Sequence, residues 1–258
     1  MNTITKNRYF DDAALRDFQR DGFVVVKALY DRGEMQTLTD AIDALVRRGP
    51  TWGREMFYYE DSLLKKGERV LSRVEKFADQ DEVFKRFVQD GKMAGRVSEL
   101  LGEKAVLFKE KINFKRPGGA GFAPHQDIQP GWDDYAPYFI SVLVTVDPST
   151  VENGCLELSA GHHTRGLLGE KWKPLTEEQL RGVAFTSYPM EPGDVAFFDC
   201  YVPHQSKPNL TDRERRNLYL TYNKVSDGDW REKYFADKRK NYPPDNEREP
   251  GKTYVFKV

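Results

Sequence analysis

The stretch AVLFKEKINFKRPGGAGFAPHQD, residues 105–127, decides the fold class of this chain. Its first half alternates with a period of two, which is typical of a β-strand. One face carries the apolar residues Phe108, Ile112 and Phe114, and the other face carries Lys109, Lys111, Asn113 and Lys115. The loop PGGAG (117–121) follows the strand, and the motif His-x-Asp stands just beyond the loop at positions 125–127.

The sequence on both sides extends this interpretation to the whole chain. Downstream, FISVLVTV (139–146) has the pattern of a buried strand, and short strands with Gly and Pro turns continue to NLYLTYNKV (217–225). Upstream, residues 11–101 are predicted to be mostly helical, with apolar residues at helical spacing between Gly33 and Arg48. We therefore predict a mainly β chain, a jelly-roll barrel (105–225) with helical N-terminal support and a C-terminal extension (228–258), in one domain spanning 1–258.

Composition narrows the class of protein. The 258 residues are 39% hydrophobic and 31% charged, and 40 basic residues against 41 acidic ones leave a net charge of −1. This composition is too apolar for a disordered chain, and we expect neither nucleic acid nor a membrane as partner. The N-terminus carries no apolar signal-like run, and two cysteines cannot form a disulfide framework, so we expect a cytoplasmic protein.

Histidine, aspartate and arginine residues follow one another along the chain in an order that indicates a metal centre. The chain has only four histidines, and His125 lies two residues before Asp127. His204 follows a strand-like segment much later, and Arg215 stands at the mouth of the next strand. Two neutral imidazoles and one carboxylate form the facial triad of non-haem Fe(II) oxygenases, which leaves coordination positions open. A buried arginine is suited to bind a carboxylate of a chelating cosubstrate in a bidentate manner.

These and further motifs resemble those of one family over nearly the whole chain. The segments are FQRDGFVVVKAL, KRPGG followed by PHQD, VENGCLELSAGHH, and EPGDVAFFD followed by PHQSKPN and an arginine. Together they resemble the phytanoyl-CoA dioxygenase family of Fe(II)/2-oxoglutarate-dependent oxygenases. The resemblance implies a double-stranded β-helix of the cupin-like type that uses Fe(II), 2-oxoglutarate and O₂. It implies hydroxylation of a C–H bond with release of succinate and CO₂, and we expect ascorbate to support the reaction in vitro.

The resemblance also assigns roles to single residues. His125, Asp127 and His204 match the iron ligands, and Arg215 matches the arginine that binds the distal carboxylate of the cosubstrate 2-oxoglutarate, with Arg213 and Arg216 as competitors. Ser206, Gln126 and Lys111 match further cosubstrate contacts. Family members that halogenate carry a small residue in place of the carboxylate, so Asp127 favours hydroxylation. The family's Pro-Gly-Ser-His turn reads Ala-Gly-His-His at 160–163, which leaves the role of that turn open.

The substrate is less well determined by the sequence. Trp132, Tyr135 and Tyr138 follow the His-x-Asp motif and are suited to cation–π contact with an ammonium group. Asn113 and Arg165, with Lys109, are candidates to contact an anionic group. We predict a small polar substrate, such as a zwitterion of the aminoalkylphosphonate type. An acyl-CoA or a terpenoid or alkaloid intermediate is the alternative substrate, a catalytically silent jelly-roll binding module is the alternative of another class, and the oligomeric state is open.

Overall fold

Two antiparallel sheets form the centre of the protein, which we describe from a computed structural model. The structure describes residues 8–89 and 91–254, so the residues 1–7 at the N-terminus and 255–258 of the predicted C-terminal extension lie outside the described residues. The helices are α1 (Asp12–Asp21), α2 (Arg32–Arg48), α3 (Glu82–Gln89), α4 (Gly91–Leu101) and α5 (Arg231–Asn241). The strands are β1 (Phe23–Val26), β2 (Met56–Asp61), β3 (Arg69–Glu75), β4 (Ala105–Lys115), β5 (Phe122–His125), β6 (Ile140–Thr145), β7 (Leu156–Leu158), β8 (Thr186–Tyr188), β9 (Val195–Asp199), β10 (His204–Ser206) and β11 (Arg215–Lys224).

The strand order is that of a double-stranded β-helix. The larger sheet has the order β1-β9-β6-β11-β4-β3-β2, and the smaller sheet has the order β5-β10-β7-β8. Chain neighbours such as β5 and β6 lie in different sheets, so the chain winds back and forth between the two layers. The jelly-roll barrel predicted from the strand pattern is confirmed.

Hydrophobic packing separates the two faces of the larger sheet. Val142 and Val144 of β6 pack with the helices in the main core, which also holds Leu38 and Ile42 of α2. Leu143, on the opposite face of β6, packs against the smaller sheet in a second cluster. This alternation follows from the two-residue period of a strand. Because the helices pack on the outer face of the larger sheet, polar side chains can lie on its inner face at one end of the barrel.

The prediction of helical support at 11–101 missed a hairpin. Helices α1 to α4 are present, but β2 and β3 pair with each other between α2 and α3, and β3 pairs with β4. The hairpin therefore extends the larger sheet, with Arg73 opposite Asn113. Its consequence is that β3 contributes side chains to the interior of the barrel.

The prediction for the C-terminal extension was also incomplete. Residues 231–241 form α5, which packs against β4 of the larger sheet. Among the described residues, no helix combines the length and the hydropathy needed to cross a lipid bilayer.

Candidate active site

Two paired strands of the smaller sheet bring the predicted metal ligands together. His125 ends β5 and His204 begins β10, and the two residues are direct partners in the antiparallel register. Their ring centroids lie 4.2 Å apart. Asp127 lies two residues beyond β5, and its Oδ1 is 3.8 Å from Nε2 of His204. One ligand atom from each of the three residues lies within 4.8 Å of the others, which is a fitting geometry for one metal ion.

Hydrogen bonds orient each of the three ligands. Nδ1 of His125 lies 2.7 Å from the carbonyl oxygen of Ala123, and Nδ1 of His204 lies 3.0 Å from that of Val202. A proton on Nδ1 donates to the carbonyl and leaves the lone pair of Nε2 for a metal, as is usual for ligating histidines. Ser141 of β6 donates to Oδ2 of Asp127 at 2.5 Å. The donor set and its supporting hydrogen bonds therefore fit a divalent iron.

The charge states of the ligands also suit metal binding. Burial and the neighbouring His204 lower the pKa of His125 to about 3, and burial lowers the pKa of His204 as well. Burial alone would raise the pKa of Asp127, but His204, Lys111 and Lys109 outweigh it and hold the pKa below its usual range. Two neutral imidazoles and one carboxylate are thus the species present at neutral pH, and these are the forms that bind a metal.

A cavity of about 460 Å³ opens above His125 and Asp127. It receives side chains from β3, β4, β5, the loop after β5, the loop 166–185 and α5. The predicted residues Lys111, Trp132 and Tyr135 line it together with Lys109. The lysines of β4, which an alternating pattern would leave in solvent, lie inside the barrel, where Lys109 is only 8% exposed.

Arg215, the first residue of β11, is a buried arginine without a carboxylate partner among the described residues. It is 1% exposed, Nη2 donates to the carbonyl of Gly154 at 2.7 Å, and Nε has no partner among the described residues. No carboxylate of the described chain lies within ion-pair distance of it, whereas Arg216 pairs with Asp147 and Asp43. The side chain of Arg213 is 91% exposed. Of the three arginines, only Arg215 is a buried cation that lacks an anion within the described chain.

Two predicted cosubstrate contacts are engaged with other groups. Gln126 donates to the carbonyls of Gly166 and Tyr201 and accepts from the amide of Leu168, so its side chain holds the loop that borders the cavity. Ser206 accepts a hydrogen bond of 2.7 Å from the buried ammonium of Lys115. Both residues lie close to the metal ligands, but the hydrogen bonds favour a supporting role for each.

Three predicted substrate contacts do not reach the cavity. The hydroxyl of Tyr138 donates to Asp199 at 2.7 Å, away from the metal ligands. Asn113 is buried deeper in the barrel, and Arg165 is exposed to solvent on the loop after His162. None of the three lines the cavity. Sequence reasoning missed instead a set of wall residues from the unexpected hairpin, the loop 166–185 and α5: Arg73, Glu75, Trp172, Tyr234, Asp237, Lys238 and Asn241.

Sequence comparison places this chain among known oxygenases. The model of the phytanoyl-CoA dioxygenase family matches residues 18–217. The chain is 41% identical to a 2-aminoethylphosphonate dioxygenase of the uncultured bacterium HF130_AEPn_1, covering 95% of this chain and 94% of that protein. It is 35% identical to a methylphosphonate hydroxylase of Gimesia maris, covering 92% and 89% of the two proteins.

Solved structures share the fold. The crystal structure of EctD from S. alaskensis with 2-oxoglutarate and 5-hydroxyectoine superposes with a TM-score of 0.72 at 24% identity, covering 88% of this chain and 80% of that one. The family match spans most of the chain, two curated relatives exceed 30% identity over nearly full length, and the His-Asp-His cluster is in place. The chain belongs to the phytanoyl-CoA dioxygenase family of non-haem iron, 2-oxoglutarate-dependent oxygenases.

Proposed function

We propose that this enzyme hydroxylates a C–H bond of a small phosphonate, with 2-aminoethylphosphonate as the first candidate. In this reaction the substrate C–H bond becomes C–OH, one atom of O₂ enters the product, and the other enters succinate as 2-oxoglutarate loses CO₂. The observation that carries the proposal is the charge of the cavity. Four cationic side chains line the same small space as the ligands His125 and Asp127, against three carboxylates: Arg73, Lys109, Lys111 and Lys238 against Glu75, Asp127 and Asp237. A small anion is the substrate class that such a lining recognises.

The chain's own residues would hold the cofactors as follows. His125, Asp127 and His204 would bind Fe(II), which together with 2-oxoglutarate supplies the activation of O₂ for C–H oxidation. Arg215 would pair with the distal carboxylate of the cosubstrate, because this buried guanidinium lacks a carboxylate partner among the described residues. Lys111 lines the cavity, with its ammonium 5.0 Å from the centre of the Tyr219 ring, and would add a second positive charge for the cosubstrate.

Both ends of a zwitterion find a matching group in the cavity wall. Lys109 and Lys111 lie on the β4 side, whereas Asp237 lies beside Lys238 on the α5 side and accepts a hydrogen bond of 2.7 Å from the hydroxyl of Tyr135. Aromatic rings of Trp132 and Trp172 complete the wall. An ammonium group is recognised by such a combination of carboxylate and aromatic faces. This arrangement supports an aminoalkylphosphonate over a simple anion.

The alternatives have less support. A cavity of about 460 Å³ has room for 2-oxoglutarate and a small molecule, and its charged lining is unsuited to a terpenoid. The phosphates of an acyl-CoA would require a basic track outside the cavity, which the balanced composition does not favour. A silent binding module does not need a complete set of oriented metal ligands, which this chain retains.

We also propose a single domain over 1–258 and a cytoplasmic location. The location is supported by Cys155 and Cys200, which are both buried and unpaired, as expected in a reducing compartment. The single domain is supported by the shared sheet, since β1 near the N-terminus pairs with β9 of the barrel core.

Replacing Ser141 by alanine tests the orientation of Asp127. The variant loses the hydrogen bond of 2.5 Å to the carboxylate, so we expect the affinity for Fe(II) to fall by about 10–100-fold. Anaerobic titration against a competing chelator measures this affinity. Ser149→Ala is the matched control, because Ser149 is equally buried and its hydroxyl has no partner among the described residues. Equal iron affinity in both variants would contradict the role of Ser141.

The proposed reaction is tested with the iron-loaded enzyme, 2-oxoglutarate, ascorbate and O₂. We expect succinate release to be stimulated by 2-aminoethylphosphonate or methylphosphonate, with one hydroxylated product for each succinate. Betaines, amino acids and acyl-CoAs serve as comparison compounds in the same assay. Stimulation by one of these classes and not by either phosphonate would overturn the proposed substrate while leaving the reaction class intact.

A further inference from the structure

One face of α5 forms a wall of the cavity. The four residues of this helix that line it are Tyr234, Asp237, Lys238 and Asn241. Their spacing is i, i+3, i+4 and i+7, which places them along one stripe of an α-helix. The helix lies outside residues 18–217, the part of the chain that the family model matches. The wall that faces the metal ligands is thus supplied by a segment beyond the shared family core.

The helix is held firmly in this position. Two nitrogens of Arg231 donate to the two oxygens of the buried Glu110 on β4, at 2.5 and 2.9 Å. The ring of Phe235 is 1% exposed and packs with Met56 and Tyr58 of β2. These contacts lie beside the cavity-lining stripe. Because the Arg231–Glu110 pair is bidentate and Phe235 is buried, the four cavity-lining residues of α5 form a fixed wall of the cavity rather than a mobile cover.

Opposite this stripe, Lys109 is a buried lysine with no carboxylate within ion-pair distance among the described residues. It is 8% exposed, and its ammonium lies 4.0 Å from the centre of the Trp132 ring. Within residues 8–89 and 91–254, its ammonium makes no hydrogen bond or ion pair, and burial lowers its pKa well below the usual value. Burying an ammonium group away from any carboxylate is costly, so an anion that binds beside Lys109 would be stabilised by it.

A second cation, Lys238 of α5, faces the same space and is paired. Glu75 pairs with Lys238 at 2.5 Å and with Arg73 at 3.0 Å, so one carboxylate serves two cations. Across the whole cavity, four cationic side chains face the three carboxylates Glu75, Asp127 and Asp237. Fe(II) and the dianion 2-oxoglutarate would cancel each other's charge. Among the described lining residues the cationic side chains therefore exceed the carboxylates by one, and this difference would remain when both are bound.

We propose that the oxyanion head of the substrate binds between Lys109 of β4 and Lys238 of α5, so that the C-terminal helix selects the substrate. This inference rests on the proposed phosphonate hydroxylation and deepens it. The head would give Lys109 an anion within ion-pair distance, which it does not have among the described residues, and Glu75 holds the ammonium of Lys238 at the cavity wall. The remaining α5 residues then face the part of the substrate that extends away from the head.

The test measures, by calorimetry, how 2-aminoethylphosphonate and methylphosphonate bind to the enzyme loaded with Fe(II) and 2-oxoglutarate in the absence of O₂. We expect Lys109→Met and Lys238→Met each to raise the Kd for both compounds by about tenfold or more, since each removes a charge-assisted contact. The dissociation constant for the cosubstrate should stay within about twofold. Lys240→Met is the matched control, because Lys240 is an exposed lysine of the same helix that does not line the cavity.

Two further variants separate binding from folding. Lys109→Met exchanges a buried ammonium for an apolar chain of similar length, so we expect the thermal midpoint to be maintained or raised. Lys238→Arg keeps the charge beside Glu75 and should retain most of the affinity that Lys238→Met loses. The inference is overturned if neither phosphonate binds the wild-type enzyme, if Lys109→Met binds them normally, or if that variant weakens cosubstrate binding instead. Binding without turnover would leave this site standing and overturn the proposed hydroxylation alone.

Discussion

His204→Ala is expected to lose stoichiometric iron binding and all substrate-stimulated succinate release. His204 is buried, and it is paired in register with His125, so its imidazole cannot be replaced by another described histidine without moving β10. Removing a residue that hydrogen-bonds to a metal ligand lowers metal affinity by about 10–100-fold. Removing the ligand itself should lower the affinity by more than that. Iron content after anaerobic loading and desalting, followed by the succinate assay, measures both effects.

His162→Ala is the control for this prediction. His162 is a half-buried turn histidine that contacts Ser159 and the carbonyls of Ala160 and Gly182, and it does not line the cavity. We expect this variant to bind iron normally. Retention of stoichiometric iron and of turnover by His204→Ala would show that the His-Asp-His cluster is not the catalytic metal site.

Arg215→Met is expected to raise the concentration of cosubstrate that the enzyme requires. The variant removes a buried guanidinium that is oriented by Gly154. Truncating one partner of a buried, hydrogen-bonded charge pair costs about 2–5 kcal/mol. The lower value corresponds to a rise of about 30-fold in the Michaelis constant for the cosubstrate 2-oxoglutarate. Initial rates of succinate release at saturating substrate give this constant.

Two neighbouring arginines provide the comparison for Arg215. Arg213→Met removes a side chain that is 91% exposed, so the Michaelis constant for the cosubstrate should not change. Arg216→Met breaks ion pairs with Asp147 and Asp43, so we expect lower thermal stability with little change in that constant. The result would contradict the role of Arg215 if the Michaelis constant stayed normal in Arg215→Met and rose in one of these two variants. The arginine replaced in that variant would then be the one that binds the cosubstrate.

The metal site could be predicted from the sequence because each of its ligands lies in a short, recognisable motif. His125 and Asp127 are two residues apart at the end of a strand, and His204 begins another strand, so a few short motifs specify all three ligands. The buried Arg215 is likewise at a strand start. Strand ends in a jelly roll converge on one opening of the barrel, which makes such residues meet without knowledge of the loops.

Part of the cavity wall was predicted, namely Lys111, Trp132 and Tyr135, but the part supplied by β3 and α5 was not, because its residues are mostly polar and leave no hydrophobic pattern. The alternation of β4 predicted a strand correctly, but periodicity alone does not state which face is the interior of a barrel. Hydrophobic patterning alone would place Lys109 and Lys111 in solvent, whereas the structure places both in the lining of the cavity. Helix α5 was missed for the same reason, since its inward stripe is made of charged and aromatic residues with no apolar period.

The hairpin of β2 and β3 was missed for a different reason. Its two strands pair with a register shift between Tyr58 and Tyr59, which interrupts the two-residue period. Arg73 and Glu75 point into the barrel, so the buried face contains ionised groups rather than aliphatic ones. Glu75 pairs both with Arg73 of the same strand and with Lys238 of α5, and the second contact joins segments far apart in the chain.

The placement of α5 has a consequence for how this enzyme can diversify. The barrel supplies the metal ligands, whereas a helix of eleven residues near the C-terminus supplies one wall of the cavity. Its anchors, Arg231 and Phe235, are separate from the positions that face the cavity. We therefore expect mutations at 234, 237 and 241 to change which molecules the enzyme accepts without altering the metal ligands. Substrate range and oxidation chemistry are separately evolvable in this architecture, and the helix is a natural segment for library-based redesign.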